Sequence, residues 1–304
     1  MTTAERETVR ARVIVACFAV FAVLSLIGVV IWKVTSPGGL PLPPPLRSEY
    51  CTASTTSEVT LGLDQMANAA TIAAVGIRRG VPERAVAVAL ATALQESKLN
   101  NLEGGDRDSI GLFQQRPSQG WGTPEQIADP RYAAGRFYSA LLHVKNWPKL
   151  SVTAAAQAVQ HSAHPNAYAK WSDDATVLAG ALMGDKSAAV ACNVSTTPQT
   201  RGPRALADLT SILQKDWGSL SASLRTTTPD TLSLQVTGTQ AGWQYAHWMV
   251  AHASESGLQR VQFGDLAWTA AGGVWGAVHK SGTPQTASAP PSAVIAQVFA
   301  APSK

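Results

Sequence analysis

Charge is scarce in this chain. Only 14% of its 304 residues are Asp, Glu, Lys or Arg, against 45% hydrophobic. That balance excludes a disordered polymer, which has too little apolar material to build a core. The formal net charge of +4 and the pI near 9.0 are mildly basic. Lys and Arg do not gather in a cluster, so the footprint of a nucleic-acid binder is missing. There is no phosphate loop, no dinucleotide glycine fingerprint, no Ser/His/Asp order and no cysteine-nucleophile motif. Cysteine is limited to Cys17, Cys51 and Cys192. His161 and His164 lie three apart, but no third ligand converges on them, so neither a metal nor another cofactor is expected.

What is present falls into segments. Residues 1–12 are short and charged and read as a cytoplasmic tail. Val13 to Val34 is nearly all apolar until Lys33, long enough to cross a bilayer as a helix. Trp32 and Lys33 suit an interfacial exit. A cleaved signal peptide would have a shorter apolar core and a small-x-small site, and no good Ala-x-Ala site follows Trp32. The expectation is a single-pass cell-membrane protein anchored by residues 13–34, with the N-terminus cytoplasmic and the rest extracellular. Residues 35–50 are a Pro-rich spacer.

Residues 51–192 read as predominantly helical. Helical spacing runs over Leu61–Arg79, from Pro82 past Glu96, from Asp129 through Leu142, over Thr153–Gln160 and over Asn166–Met183. Thr123-Pro124-Glu125-Gln126 fits a capping box with Pro at the first helical position. No convincing alternating strand appears there, and Gly104–Ile110 reads as a small hairpin. Residues 193–203 form a Ser/Thr/Pro-rich linker. Residues 204–304 mix helices at Ala205–Trp217 and Gln240–Ser254 with strands at Thr231–Val236, Leu258–Phe263, Leu266–Thr269 and Ala293–Phe299. Ser281–Pro291 is low-complexity. The expected fold class is a mainly α domain plus a small α+β C-terminal domain, preceded by a single N-terminal transmembrane helix.

The chemistry concentrates in Ala93–Pro117, ALQESKLNNLEGGDRDSIGLFQQRP. Glu96 lies near the C-terminal end of an apolar helix. The negative end of the helix dipole disfavours ionisation there. Partial burial against Leu112 and Phe113 pushes the same way. A carboxylic acid kept protonated is what general acid catalysis on an ether-like oxygen requires. Taken alone, Glu96 reads more readily as a solvated carboxylate at a helix end, because charged residues are mostly exposed.

Its neighbours add to this. Glu96-Ser97, then Ser109-Ile110-Gly111-Leu112-Phe113-Gln114, resembles the lytic transglycosylase and goose-type lysozyme families. Those families carry a Glu-Ser pair ending a helix and a Gly-Leu-Met-Gln-like segment lining the sugar cleft; Phe113 stands in place of the Met. Gln115-Arg116-Pro117-Ser118-Gln119-Gly120-Trp121-Gly122 looks like a bacterial cell-wall branch of the superfamily. The resemblance covers roughly Cys51 to Cys192 and implies a lysozyme-like domain. It implies that Glu96 protonates the bond oxygen between N-acetylmuramic acid and N-acetylglucosamine, then takes the proton of the muramyl C6 hydroxyl. The product is a 1,6-anhydro end, with no water and no second carboxylate. Goose-type lysozymes bear acidic residues in the corresponding loop that position a water. Asp106, which matches a Gly-Asp element, and Asp108 are therefore candidates for a second carboxylate, in a muramidase; loop capping is their alternative role.

Ser109, Gly111, Gln114, Gln115 and Gln160 are the candidate substrate-binding residues, with Gln114 the direct match to the family glutamine. Ala158–Pro165 sits where the family has Ala-Tyr-Asn-Ala-Gly. This chain lacks the Tyr-Asn pair there, leaving Gln160 or Ser162 to substitute. The implied partners are peptidoglycan glycan strands, a membrane through the N-terminal helix and an envelope protein complex. In an extracellular domain, Cys51 and Cys192 are expected to form a disulfide, the alternative being two free thiols. Closing so long a loop is worth roughly 4–5 kcal/mol in the chain-entropy model. From another class, the chain reads as a non-catalytic wall-binding or scaffold component of a secretion or conjugation apparatus.

Overall fold

The computed structural model describes residues 49–162, 164, 166–220, 223–278 and 292–302. Strands β1 (Tyr50–Ser54) and β2 (Glu58–Leu61) pair antiparallel, and β3 (Val190–Asn193) returns from far along the chain to complete a sheet of order β2-β1-β3. Inward and outward positions alternate: Cys51 and Ala53 are buried on β1, Val59 and Leu61 on β2. The register sets Cys51 opposite Cys192, and the two are joined in a disulfide across a sequence separation of 141. The start of the helical region is thus tied covalently to its end.

Among the described residues six α-helices lie between β2 and β3: α1 (Leu63–Arg78), α2 (Glu83–Ser97), α3 (Pro124–Ile127), α4 (Pro130–His143), α5 (Val152–Gln160) and α6 (Ser172–Leu182). Helix α2 is the axis of the group. Eleven of its 15 residues are buried, most of them Ala or Val. A helix apolar on nearly every side has to sit inside a ring of others, and α1, α4, α5 and α6 supply that ring. Pro82 starts it in extended conformation, and Lys98 ends it in the left-handed region. The capping box at Thr123 and Gln126 forms as the residue pattern dictates.

The C-terminal region follows: α7 (Gly202–Trp217), β4 (Leu224–Thr228), β5 (Thr231–Gln235), α8 (Thr239–Ala251), α9 (Ala253–Ser256), β6 (Leu258–Phe263), β7 (Leu266–Thr269), β8 (Trp275–Ala277) and β9 (Ala293–Val298). Its strands form one antiparallel sheet of order β4-β5-β9-β6-β7-β8. Strand β9, the last in sequence among the described residues, pairs between β5 and β6 in the middle of the sheet. Two of its tryptophans reach the small sheet: Trp268 donates to the Cys192 carbonyl at 3.0 Å and Trp275 to the Val190 carbonyl at 2.7 Å. The described residues from Glu49 onward form one unit.

The expected fold class needs correcting. The described residues form a mixed α/β structure with two antiparallel sheets, not a mainly α domain with a small α+β appendage. The three strands within residues 50–193 have only four or five residues each. So short a run shows too few alternations to stand out, and Ala, Thr and Ser dilute it further.

The transmembrane expectation is corrected as well. No helix among the described residues is long and apolar enough to cross a membrane. The longest, α1 and α7, have 16 residues. At 1.5 Å per residue they fall short of a hydrocarbon core about 30 Å thick. The expected span, residues 13–34, lies outside the described residues, as do residues 1–12, 35–48 and 281–291. The localisation as a single-pass cell-membrane protein does not stand on this structure.

Candidate active site

Glu96 is the penultimate residue of α2, and the chain turns sharply behind it. Lys98 and Leu99 both have positive φ, 55° and 60°. Left-handed backbone costs a non-glycine residue roughly 1–2 kcal/mol. Side-chain amides hold the turned carbonyls in compensation: Gln65 donates to Lys98 at 2.7 Å, Asn68 to Leu99 at 2.8 Å and Asn100 to Ser97 at 3.0 Å. Ser97 has a separate task. Its buried hydroxyl lies 3.1 Å from the Ala93 carbonyl and 2.8 Å from that of Leu112, fastening the helix end to the Gly111–Gln114 segment. That segment is anchored by buried Leu112 and by Phe113, whose ring stacks on Phe137 at 4.8 Å. Gly111 has φ 77°, and a Cβ there would come within 2.9 Å of the Ile127 carbonyl, so the position demands glycine.

Glu96 itself is half-buried. The Tyr168 hydroxyl donates to its Oε1 at 2.7 Å. Gln160 also reaches it, and donates its amide to the Phe113 carbonyl at 2.8 Å. Burial raises the Glu96 pKa; hydrogen bonds from Tyr168 and Gln160 and the charge of Lys98 favour the carboxylate but do not offset it. Burial likewise pushes the Tyr168 hydroxyl far above its ordinary range, with Glu96 adding to the effect, so it remains a donor. Next to them, Trp171 donates to Gln95 Oε1 at 2.9 Å, and Lys98 Nζ lies 4.5 Å above the Trp171 ring. A cleft of about 690 Å³ lined by Trp121, Arg136, His143 and Gln160 opens on the Gln160 side. Chemically, this is one carboxylic acid held toward its neutral form, with groups in place to receive its anion.

The other residues singled out in the sequence are placed as follows. Ser109 is buried, with its hydroxyl 2.7 Å from the Asp106 carbonyl and 3.1 Å from Gln114 Oε1. Gln114 donates to the Gly111 carbonyl at 3.1 Å. Gln115 is 1% exposed and donates to the Ala133 carbonyl at 3.1 Å, so it ties the loop to α4 and is not brought to the cleft. The β-bridge in this loop joins Ile110 to Gln115, further along than the hairpin read at 104–110. The Asp106 side chain is 93% exposed, beside Arg107. Asp108 accepts from Arg116 at 2.7 Å and from the Ser118 backbone N–H at 2.8 Å, and these bonds hold it ionised far below the usual range. Both of its oxygens are committed to the loop. Among the described residues no group of His, Cys, Asp or Glu could hold a metal ion.

Tyr168 and Trp171 fall inside Asn166–Met183, which helical spacing reads as a single helix. The helix begins only at Ser172, after a short 3-10 turn at Ala169–Trp171. One signal was available: Tyr168 is the first tyrosine after Gln160, just beyond the stretch where the resemblance calls for one beside the acid.

Comparison with known proteins finds no family model and no curated protein that matches this chain.

Proposed function

We propose that this chain is a peptidoglycan lytic transglycosylase, cleaving the β-1,4 bond between N-acetylmuramic acid and N-acetylglucosamine. The observation that carries the reading is the half-buried Glu96, its pKa raised, hydrogen-bonded by Tyr168 at the end of α2. The Glu96–Ser97 and Gly111–Gln114 resemblance supplies the substrate class.

The protonated Glu96 donates its proton to the glycosidic oxygen as the bond to the muramyl C1 breaks. N-acetylglucosamine leaves as the free C4 alcohol. The new carboxylate is received by the Tyr168 hydroxyl, the Gln160 amide and the nearby Lys98 charge. It then takes the proton of the muramyl C6 hydroxyl as that oxygen closes on C1. The 1,6-anhydro ring forms, Glu96 is protonated again, and no water is consumed. The state of the acidic loop favours this single-acid route over hydrolysis: Asp108 is locked to Arg116 and Ser118, and Asp106 is turned to solvent.

Digesting isolated peptidoglycan with the full chain and identifying the new ends by mass spectrometry tests the reaction type. Anhydromuramyl ends are expected. Reducing muramyl ends would instead assign a muramidase, and glycan binding without any new ends a wall-binding protein.

A further inference from the structure

The cleft on the far side of Gln160 from Glu96 has an uneven charge. Arg136, His143 and His161 line it with Trp121 and Gln160, and among the described residues no carboxylate does. Arg136 is exposed and donates to the Gly120 carbonyl at 3.2 Å; among the described residues no ion pair reaches it. The cavity at the seam with the C-terminal region differs, since Asp64 and Glu255 share its wall with Arg131 and His252. Basic groups also stand on the acid's own turn. Lys98 is near enough to Glu96 to act on it, and the Lys170 charge acts on Lys98 in turn.

The cleft is connected to the reacting position. Gln160 lines it and also bonds Glu96. Gln160 is the shared wall, so a substituent that extends past it from a sugar held at Glu96 would enter the cleft. The volume of about 690 Å³ falls in the range of roughly 300–1,000 Å³ that receives a ligand of drug size. A guanidinium with no anionic partner is suited to a carboxylate, which it binds through paired N–H donors.

We propose that the cleft between α4 and α5 is a subsite for a carboxylate-bearing peptide carried on the glycan, with Arg136 as its charged contact. This rests on the reading of Glu96 as a glycan acid and adds the class of strand on which it acts: peptide-substituted rather than bare. Trp121 offers the apolar wall for the peptide's aliphatic part.

The test uses the full chain carrying Glu96→Gln, so that ligands survive titration. Its affinity is measured by calorimetry for two muramyl oligosaccharides of equal length, one bearing the peptide and one stripped of it. The peptide-bearing form should bind about tenfold tighter, the factor that one good charge-assisted contact supplies. Adding Arg136→Glu should bring the ratio close to one; Arg136→Lys, which keeps the charge, should retain part of it. Raising the salt should narrow the preference. Equal affinities, or a preference that survives Arg136→Glu, would overturn the subsite. A preference that persists while the unsubstituted protein releases no product would support the subsite and count against Glu96 catalysis. Product release from both glycans with no preference would do the reverse.

Discussion

In the proposed general-acid role Glu96 needs two opposite properties. It must hold a proton near neutral pH, and it must tolerate the charge left when that proton goes. Burial raises its pKa toward the first, and Tyr168, Gln160 and Lys98 favour the second. Replacing Tyr168 with Phe tests the division. The lost hydrogen bond favoured the carboxylate, so the Glu96 pKa should rise further and the alkaline limb of the pH–rate profile should move up. The rate at the optimum should fall roughly 10- to 100-fold, the worth of one hydrogen bond to a charged group. A Tyr168→Phe variant with an unmoved alkaline limb would mean the hydroxyl does not act on Glu96.

At this scale the sequence was legible where a residue's place followed from helix spacing. Glu96 and Ser97 end the apolar run of α2, and their position follows from that run. Polar residues in the loop were another matter. Ser109, Gln114, Gln115 and Asp108 are all of types that bind sugars, yet Ser109, Gln114 and Asp108 bond within the loop and Gln115 bonds the Ala133 carbonyl of α4. Residue type alone does not say whether an amide faces a ligand or a neighbouring carbonyl. Tyr168 was hidden for a related reason: its contact with Glu96 spans 72 residues, and no local pattern encodes it.

Helix α2 carries an acid at each end. At its start Glu83 shares a hydrogen bond with Asp185, and burial first, then Asp185, pushes the Glu83 pKa up to about 7. The folded protein therefore keeps a proton that the unfolded chain releases near 4.5. The resulting contribution to stability is fully present below pH 4.5 and is lost as pH climbs through about 7. Glu83→Gln should match the parent at low pH and gain over it as pH rises, with the gain levelling off above 7. Denaturant midpoints across that range give the answer; a constant difference at every pH would rule out the shared proton. At the element scale long helices were the most readable. Strand β9 was visible at Ala293–Phe299, but its central place in the six-stranded sheet was not, because strand order is set by pairings far apart in the chain.

Two regions meet around one buried carboxylate. Asp216, at the end of α7, is fully buried; Thr71 of α1 and Trp248 of α8 donate to it at 2.8 Å each, and Arg131 of α4 pairs with it at 2.6 Å. His247 adds a second tie. It is fully buried and bonds Ala181 and the Ala189 N–H, and burial pushes its pKa down to about 4, so it stays neutral. Asp216→Ala takes from Arg131 the closer of its two carboxylate partners and leaves the Thr71 hydroxyl and the Trp248 N–H without their acceptor, and it should cost about 3–5 kcal/mol. Urea unfolding checks this, and a loss below about 1 kcal/mol would mean the seam is held elsewhere.

The most direct test of the whole reading is the rate at which the full chain solubilises purified peptidoglycan, with Glu96 intact and as Glu96→Gln. The intact protein should release glycan fragments, and the glutamine form should be slower by at least about a hundredfold, the usual reach of general acid–base catalysis. Equal rates for the two proteins, or no release by the intact one, would contradict the assignment of the chemistry to Glu96.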